Sequence, residues 1–281
     1  MKTINLQAGT VTTNEFSNFS IHTYTSPESG GFVNSQIIET SNHLILVDTQ
    51  YLLPFATELK EYLSDIKKPI ERIIISHSHP DHWFGNEFFQ DQKIFALQEV
   101  RAILEQAGDA IIESYQFMNE NGSLVPTAKT LPNSTLKEGL FTLDGVEFSV
   151  IKFTDTEDSI IAGIEISKEH ILIAQDIVYD FTHAFTAELA NVQNKWIEVL
   201  ESIQSKNYSL ILGGHGTPSA GDILTPAIAY LHDATTAIQK ALKEGTDKES
   251  KTQIYSQSML GKYPEFKAPS LVQLCSNYMF N

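Results

Sequence analysis

The stretch SHSHPDHWFG, residues 76–85, sets three histidines and an aspartate within six residues, directly after the apolar run Ile73, Ile74, Ile75. Such a run reads as a buried strand, and a buried strand ending in groups that prefer water or a cation constrains this chain more than any other feature. On an extended strand, residues two apart point the same way, so His77 and His79 can present their imidazoles to one point in space. Pro80 breaks the strand, and a helix at Trp83 brings Asp81 and His82 back toward the same place. Imidazole and carboxylate together suit zinc, and also iron or manganese.

Two other apolar runs end in the same way. Asp176 follows Ile171, Leu172, Ile173 and Ala174, and His215 follows Leu210, Ile211, Leu212 and two glycines that allow close backbone approach. Open α/β sheets usually hold their sites at the carboxyl ends of strands. The surrounding pattern fits such sheets. SQIIET, HLILVDTQ, ERIIIS and KIFAL read as strands, with a helix over residues 53–67 and another helical pattern over 97–119. PTAKTLPNSTL reads as a loop bordering a cleft. The second half begins again with the strands GVEFSVIKF, DSIIAGIEI and HILIAQD, then a helix in NVQNKWIEVLESIQS and a strand in YSLILGG. Two strand-rich halves, each closed by helices, imply two sheets packed face to face with helices outside. From about residue 222 onward the pattern is helical, with Gly245 as a stop, so residues 1–281 are expected to form one domain with a C-terminal helical extension.

Composition excludes several partners. A net charge of −16 repels a polyphosphate backbone, which argues against nucleic acid and for a small-molecule substrate. No run of about 18 apolar residues and no leader-like apolar segment occurs, so neither a membrane span nor export is expected. The single cysteine, Cys275, reads as a small buried hydrophobe and fits a reducing, cytoplasmic location. Apolar faces on the C-terminal helices are available to a homodimer.

The order HxHxDH, a lone acid after an apolar strand, then GGHG resembles the metallo-beta-lactamase superfamily over roughly residues 30 to 220. The resemblance implies an αβ/βα sandwich of two mixed sheets with a one- or two-metal site between them. It implies that His77 and His79 bind a first metal, that Asp81, His82 and His215 bind a second, and that Asp176 bridges. Two zinc ions are expected, with iron or manganese as alternatives. Zinc beta-lactamases carry a histidine in a segment of the form GHTxDN. The matching segment here is TDTEDS, which sets Asp155 at that position. A carboxylate there adds negative charge that favours a dication, and it argues against a true beta-lactamase. Asp48, in LVDTQ, resembles a recurring aspartate that supports the histidine loop from behind the ligands.

The chemistry implied is hydrolysis of an ester, lactone, thioester or amide by a metal-activated hydroxide, with Asp81 orienting it and moving a proton. Tyr179 and His183, in VYDFTHAF, are candidates for substrate contact. A metal-binding sensor without turnover and a mono-iron thiol dioxygenase are the alternatives. His79 stands where the diiron branch usually has glutamate, which argues against oxygen reduction.

Overall fold

In the computed structural model, which describes residues 1–192 and 194–280, the apolar runs of the first half pair into one sheet. Its eight strands lie in chain order: β1 (Lys2–Asn5), β2 (Thr10–Glu15), β3 (Ser20–Thr25), β4 (Asn34–Glu39), β5 (Leu44–Val47), β6 (Ile70–Ile74), β7 (Ile94–Ala96) and β8 (Ser134–Thr135). Pairing is antiparallel as far as β5 and parallel from there to β8. Crossovers contain α1 (Leu53–Ile66), the single turn α2 (Pro80–Trp83) and α3 (Gln98–Tyr115). The second sheet runs β9 (Gly139–Leu143), β10 (Val146–Thr154), β11 (Ile160–Ile166), β12 (Ile171–Tyr179) and β13 (Leu210–His215), with only the last pair parallel. Both sheets are mixed, as expected.

Alternation along β12 explains the layering. Ile171 and Ile173 enter the core shared with Ile37, Leu46 and Ile73 of the first sheet, while Leu172 and Ala174 face a second core with the helices. A strand buried on both faces is predominantly apolar, and all nine residues of β12 are buried, with Gln175 and Asp176 as its polar exceptions. The second core is closed by α4 (Leu189–Val192), α5 (Lys195–Ser205), α6 (Leu224–Glu244), α7 (Lys248–Lys262) and α8 (Ser270–Met279). Gln193, within the helix expected over NVQNKWIEVLESIQS, lies outside the described residues. Helix α6 does stop at Gly245, although that residue is extended rather than left-handed. Cys275 is buried on α8, where burial pushes its thiol up to about 12, in keeping with a packing role. Among the described residues no helix is long and apolar enough to cross a membrane.

The strands β1 to β3 were not evident from the apolar pattern. TVTTNE and SIHTYT carry few large hydrophobes, and β1 is exposed throughout. They are held partly by a polar clamp. Glu58 on α1 accepts hydrogen bonds from the backbone nitrogens of Ala8 and Gly9 and from the Tyr24 hydroxyl, each at 2.8 Å. Burial alone would raise the Glu58 carboxyl, but these donors bring it below its usual value. Glu58→Ala is therefore expected to cost about 2 kcal/mol, measured as a shift in urea midpoint. The carboxylate's contribution is present above the ordinary glutamate pKa of about 4.5 and is lost as pH falls through the lower folded value.

Candidate metal centre

Strand β6 ends at Ile74, so His77 and His79 lie on a bend rather than on the extended strand expected for them. The cause is Asp48, a buried residue in the left-handed region (φ 63°) just after β5. Its Oδ1 accepts from the Ser76 nitrogen at 2.7 Å and its Oδ2 from the Ser76 hydroxyl at 2.6 Å, which pulls the chain out of the strand. The same Oδ2 lies 2.8 Å from His82 Nδ1 and accepts from Gln175 Nε2. This fixes His82 as the tautomer that donates from Nδ1 and aims Nε2 at the centre.

The remaining groups arrive from the second sheet. Gln175 has a positive φ of 47°, and the pairing of β12 with β13 shifts register on either side of it. Such a bulge re-aims side chains, and here it turns Asp176 inward from within β12. His215 ends β13, and its Nδ1 donates to the Gly31 carbonyl at 2.8 Å, so that Nε2 faces Asp81 and Asp176. Asn34 of β4 ties the sheets together by donating to the carbonyls of Gly213 and Gly216 at 2.9 and 2.8 Å.

Two groups of potential metal ligands (ligand groups) result. Asp81, His82, Asp176 and His215 form one, with donor atoms within 4.8 Å of one another. His82 Nε2 lies 3.2 Å from Asp176 Oδ1 and 3.4 Å from Asp81 Oδ2, and His215 Nε2 lies 3.2 Å from both Asp81 Oδ2 and Asp176 Oδ2. His77, His79 and Glu157 form the other. His79 Nδ1 is 2.8 Å from Glu157 Oε1, and His77 Nε2 is 3.6 Å from Glu157 Oε2. Asp176 Oδ2 also lies 4.0 Å from His77 Nε2, so this carboxylate stands between the groups. Asp48 is near His77 and His82 as well, but its oxygens are engaged by Ser76, His82 and Gln175.

The donors fit a divalent cation. His77 Nε2, His82 Nε2, Glu157 Oε2 and Asp176 Oδ1 are buried without a hydrogen-bond partner, and orphaned polar atoms that converge are costly unless a ligand joins them. The sequence model of the metallo-beta-lactamase superfamily matches residues 29–215, well over half of the chain. The chain belongs to the metallo-beta-lactamase superfamily. A metallo-beta-lactamase from Pontibacter korlensis shares its fold with a TM-score of 0.59 at 16% identity, over 79% of this chain and 99% of that one. The metallo-beta-lactamase IND-7 gives 0.59 at 16%, over 81% and 100%. TMB-1 gives 0.55 at 18%, over 80% and 98%. No curated protein matches the sequence.

Within this metallo-beta-lactamase-superfamily chain, two expected site residues do not join the ligand groups. Asp155 is exposed and joins neither ligand group. Its left-handed conformation (φ 56°), with its nitrogen donating to the Ser159 carbonyl, turns the chain so that Glu157 is buried instead. Glutamate's extra methylene then reaches both His77 and His79 from two residues further along. The signal was present, since TDTEDS holds three carboxylates, but matching by position selected the first of them. His183 is likewise remote from the ligand groups. It packs on Tyr230 and Phe266, its Nδ1 lies 3.0 Å from the Tyr230 hydroxyl, and burial lowers it to about 4.

Tyr179, by contrast, is at the centre, as the last residue of β12. Its hydroxyl donates to Asp176 Oδ2 at 2.7 Å and reaches Glu157 Oε1 at 3.5 Å, and its ring stacks on His215 at 4.8 Å. Electrostatics tie the groups together. Burial lowers His77 to about 4, leaving it neutral with a free lone pair. Burial also opposes charge on His79 and His215, but Glu157 raises the first and Asp176 the second, each to about 10. Burial raises Glu157 to about 7 against the pull of His79. The cluster holds protons that an incoming dication would replace.

Proposed function

We propose that this protein is a metal-dependent hydrolase that cleaves an ester, lactone, thioester or amide of a small molecule. One observation carries the reading: two groups of potential ligands come together around Asp176, and His79, Asp81, Glu157, Asp176 and His215 line a cavity of about 580 Å³, a size suited to a small substrate. His77, His79 and Glu157 would hold one cation, and Asp81, His82 and His215 the other, with Asp176 between them. Imidazole-rich groups of this kind suit zinc, and the carboxylates also accept iron or manganese. When bound, such a cation polarises a carbonyl oxygen and acidifies a water molecule.

The protein's own groups perform the rest. Asp81 lines the cavity, and its side chain is one-fifth exposed, so its carboxylate can orient a water and carry the proton to the leaving group. Tyr179 also lines the cavity and holds Asp176 in place through its hydroxyl, within reach of a carbonyl bound above. Asp48 keeps His82 in its working tautomer. The net charge of −16 supports a small molecule over a nucleic acid as substrate.

The test is turnover of a panel of neutral esters, lactones, thioesters and amides by metal-loaded protein, with Asp81→Ala beside it. Wild type is expected to hydrolyse at least one class, and the variant to lose about a hundredfold or more while keeping its circular dichroism. A metal-loaded wild type inert to every class would replace the hydrolase with a metal-binding protein that has no turnover.

A further inference from the structure

The cavity has two unlike walls. One carries the ligand groups, and the other is apolar and built from α3 and α8. Leu271, Leu274 and Tyr278 of α8 follow one another at helical spacings of three and four residues, so they share the helix face that lines the cavity together with Tyr115 of α3. The buried face of the same helix carries Val272, Cys275 and Ser276. Leu274 and Tyr278 are nevertheless 37% and 55% exposed, so packing within the chain does not account for their being apolar. Phe185 joins the walls, its ring 5.2 Å from that of His79 and 5.9 Å from that of Tyr278. An apolar track thus runs from the ligand groups to the cavity mouth. Helix α8 lies wholly beyond residue 215, where the family match ends.

Charge sharpens the picture. Apart from the ligand groups, the charged side chains lining the cavity among the described residues are Asp155, Asp158 and Glu188, all acidic. Asp158 already accepts from Ser78 and Ser159 and Glu188 from Asn191, and among the described residues no lysine or arginine lines the wall beside Asp155 or Glu188. A second anion brought alongside them is repelled, whereas an uncharged chain is not.

Resting on the hydrolase reading, we infer that the substrate is an uncharged carbonyl compound whose aliphatic or aromatic arm lies along the α8 wall, with Leu274 setting its specificity. Substrates with a carboxylate on that arm are disfavoured. Two measurements separate this inference from the activity itself. The first is calorimetric titration of metal-loaded protein with methyl octyl ketone, which needs no turnover. Leu274→Asp is expected to weaken binding about tenfold or more, as replacing an apolar contact that the ligand's arm would cover by a charge should. The second is turnover of p-nitrophenyl decanoate against the same ester ending in a carboxylate. The neutral ester is expected to have the higher kcat/KM by about tenfold, and Leu274→Lys to shrink or reverse that ratio.

If neither ester is cleaved but the ketone binds and Leu274→Asp weakens it, the inference about the α8 wall stands, and the full panel of esters, lactones, thioesters and amides decides the hydrolase reading separately. Ketone affinity that is absent, or unchanged by Leu274→Asp, overturns the inference, as does an equal or better rate on the carboxylated ester. A dimer that Leu274→Lys dissolves without altering ketone binding also overturns it, because the wall would then serve a second copy of the chain.

Discussion

Glu157→Gln is expected to lower the metal content of the purified protein by about one equivalent per chain, whereas Asp155→Ala leaves it unchanged. The glutamine is isosteric and can still meet His79, so the fold is retained. It cannot supply the negative charge that two imidazoles and a dication require. Glu157 is 1% exposed, its Oε1 is 2.8 Å from His79, and its Oε2 has no hydrogen-bond partner, so a cation shared with His77 and His79 would satisfy it. Affinity of the site formed with His77 and His79 should fall by about a hundredfold or more, since even changes behind metal ligands cost ten- to a hundredfold. Elemental analysis of the two variants beside wild type decides the matter. Metal lost from Asp155→Ala and kept by Glu157→Gln would reverse the roles of the two acids.

The second large effect concerns Gly214. A Cβ at this position would stand 1.7 Å from Asp176 Oδ1 and 2.9 Å from the Asp176 nitrogen. Both β12 and β13 are hydrogen-bonded into the sheet, so the carboxylate rather than the backbone must give way. Because Asp176 stands between the two ligand groups, Gly214→Ala is expected to empty both, and the overpacking itself to cost about 1–3 kcal/mol. Metal content and the thermal midpoint of chelator-treated protein read these two losses separately. A variant that loads metal like wild type would show that Asp176 is not held where the two groups meet.

Much of the fold was legible because its central strands carry runs of three or four consecutive apolar residues where they cross the core. ERIIIS, HILIAQD and YSLILGG announced themselves, and with them the positions of the histidine loop, Asp176 and His215. The N-terminal strands escaped notice because their Thr-rich sequences lie at a sheet edge, where hydrophobic pattern is weak and pairing is decided by neighbours. His77 and His79 converge as expected, but by a different route: the hydrogen bonds of Asp48 to Ser76 form across the sheet and have no local signature. The exchange of Asp155 for Glu157 has the same origin. A single left-handed residue decides which acid faces inward, and the residue types alone do not specify it. His183 looked like a site residue through its closeness to Tyr179 in sequence, yet β12 ends at Tyr179 and the chain then leaves toward α6 and its Tyr230.

The central claim is that these side chains exist to grip divalent cations. Its most direct measurement is the metal content of wild-type protein, purified without chelators and then dialysed against zinc, iron and manganese in turn. About one to two equivalents per chain should be retained for at least one of them. A folded protein that retains none of the three would contradict the account.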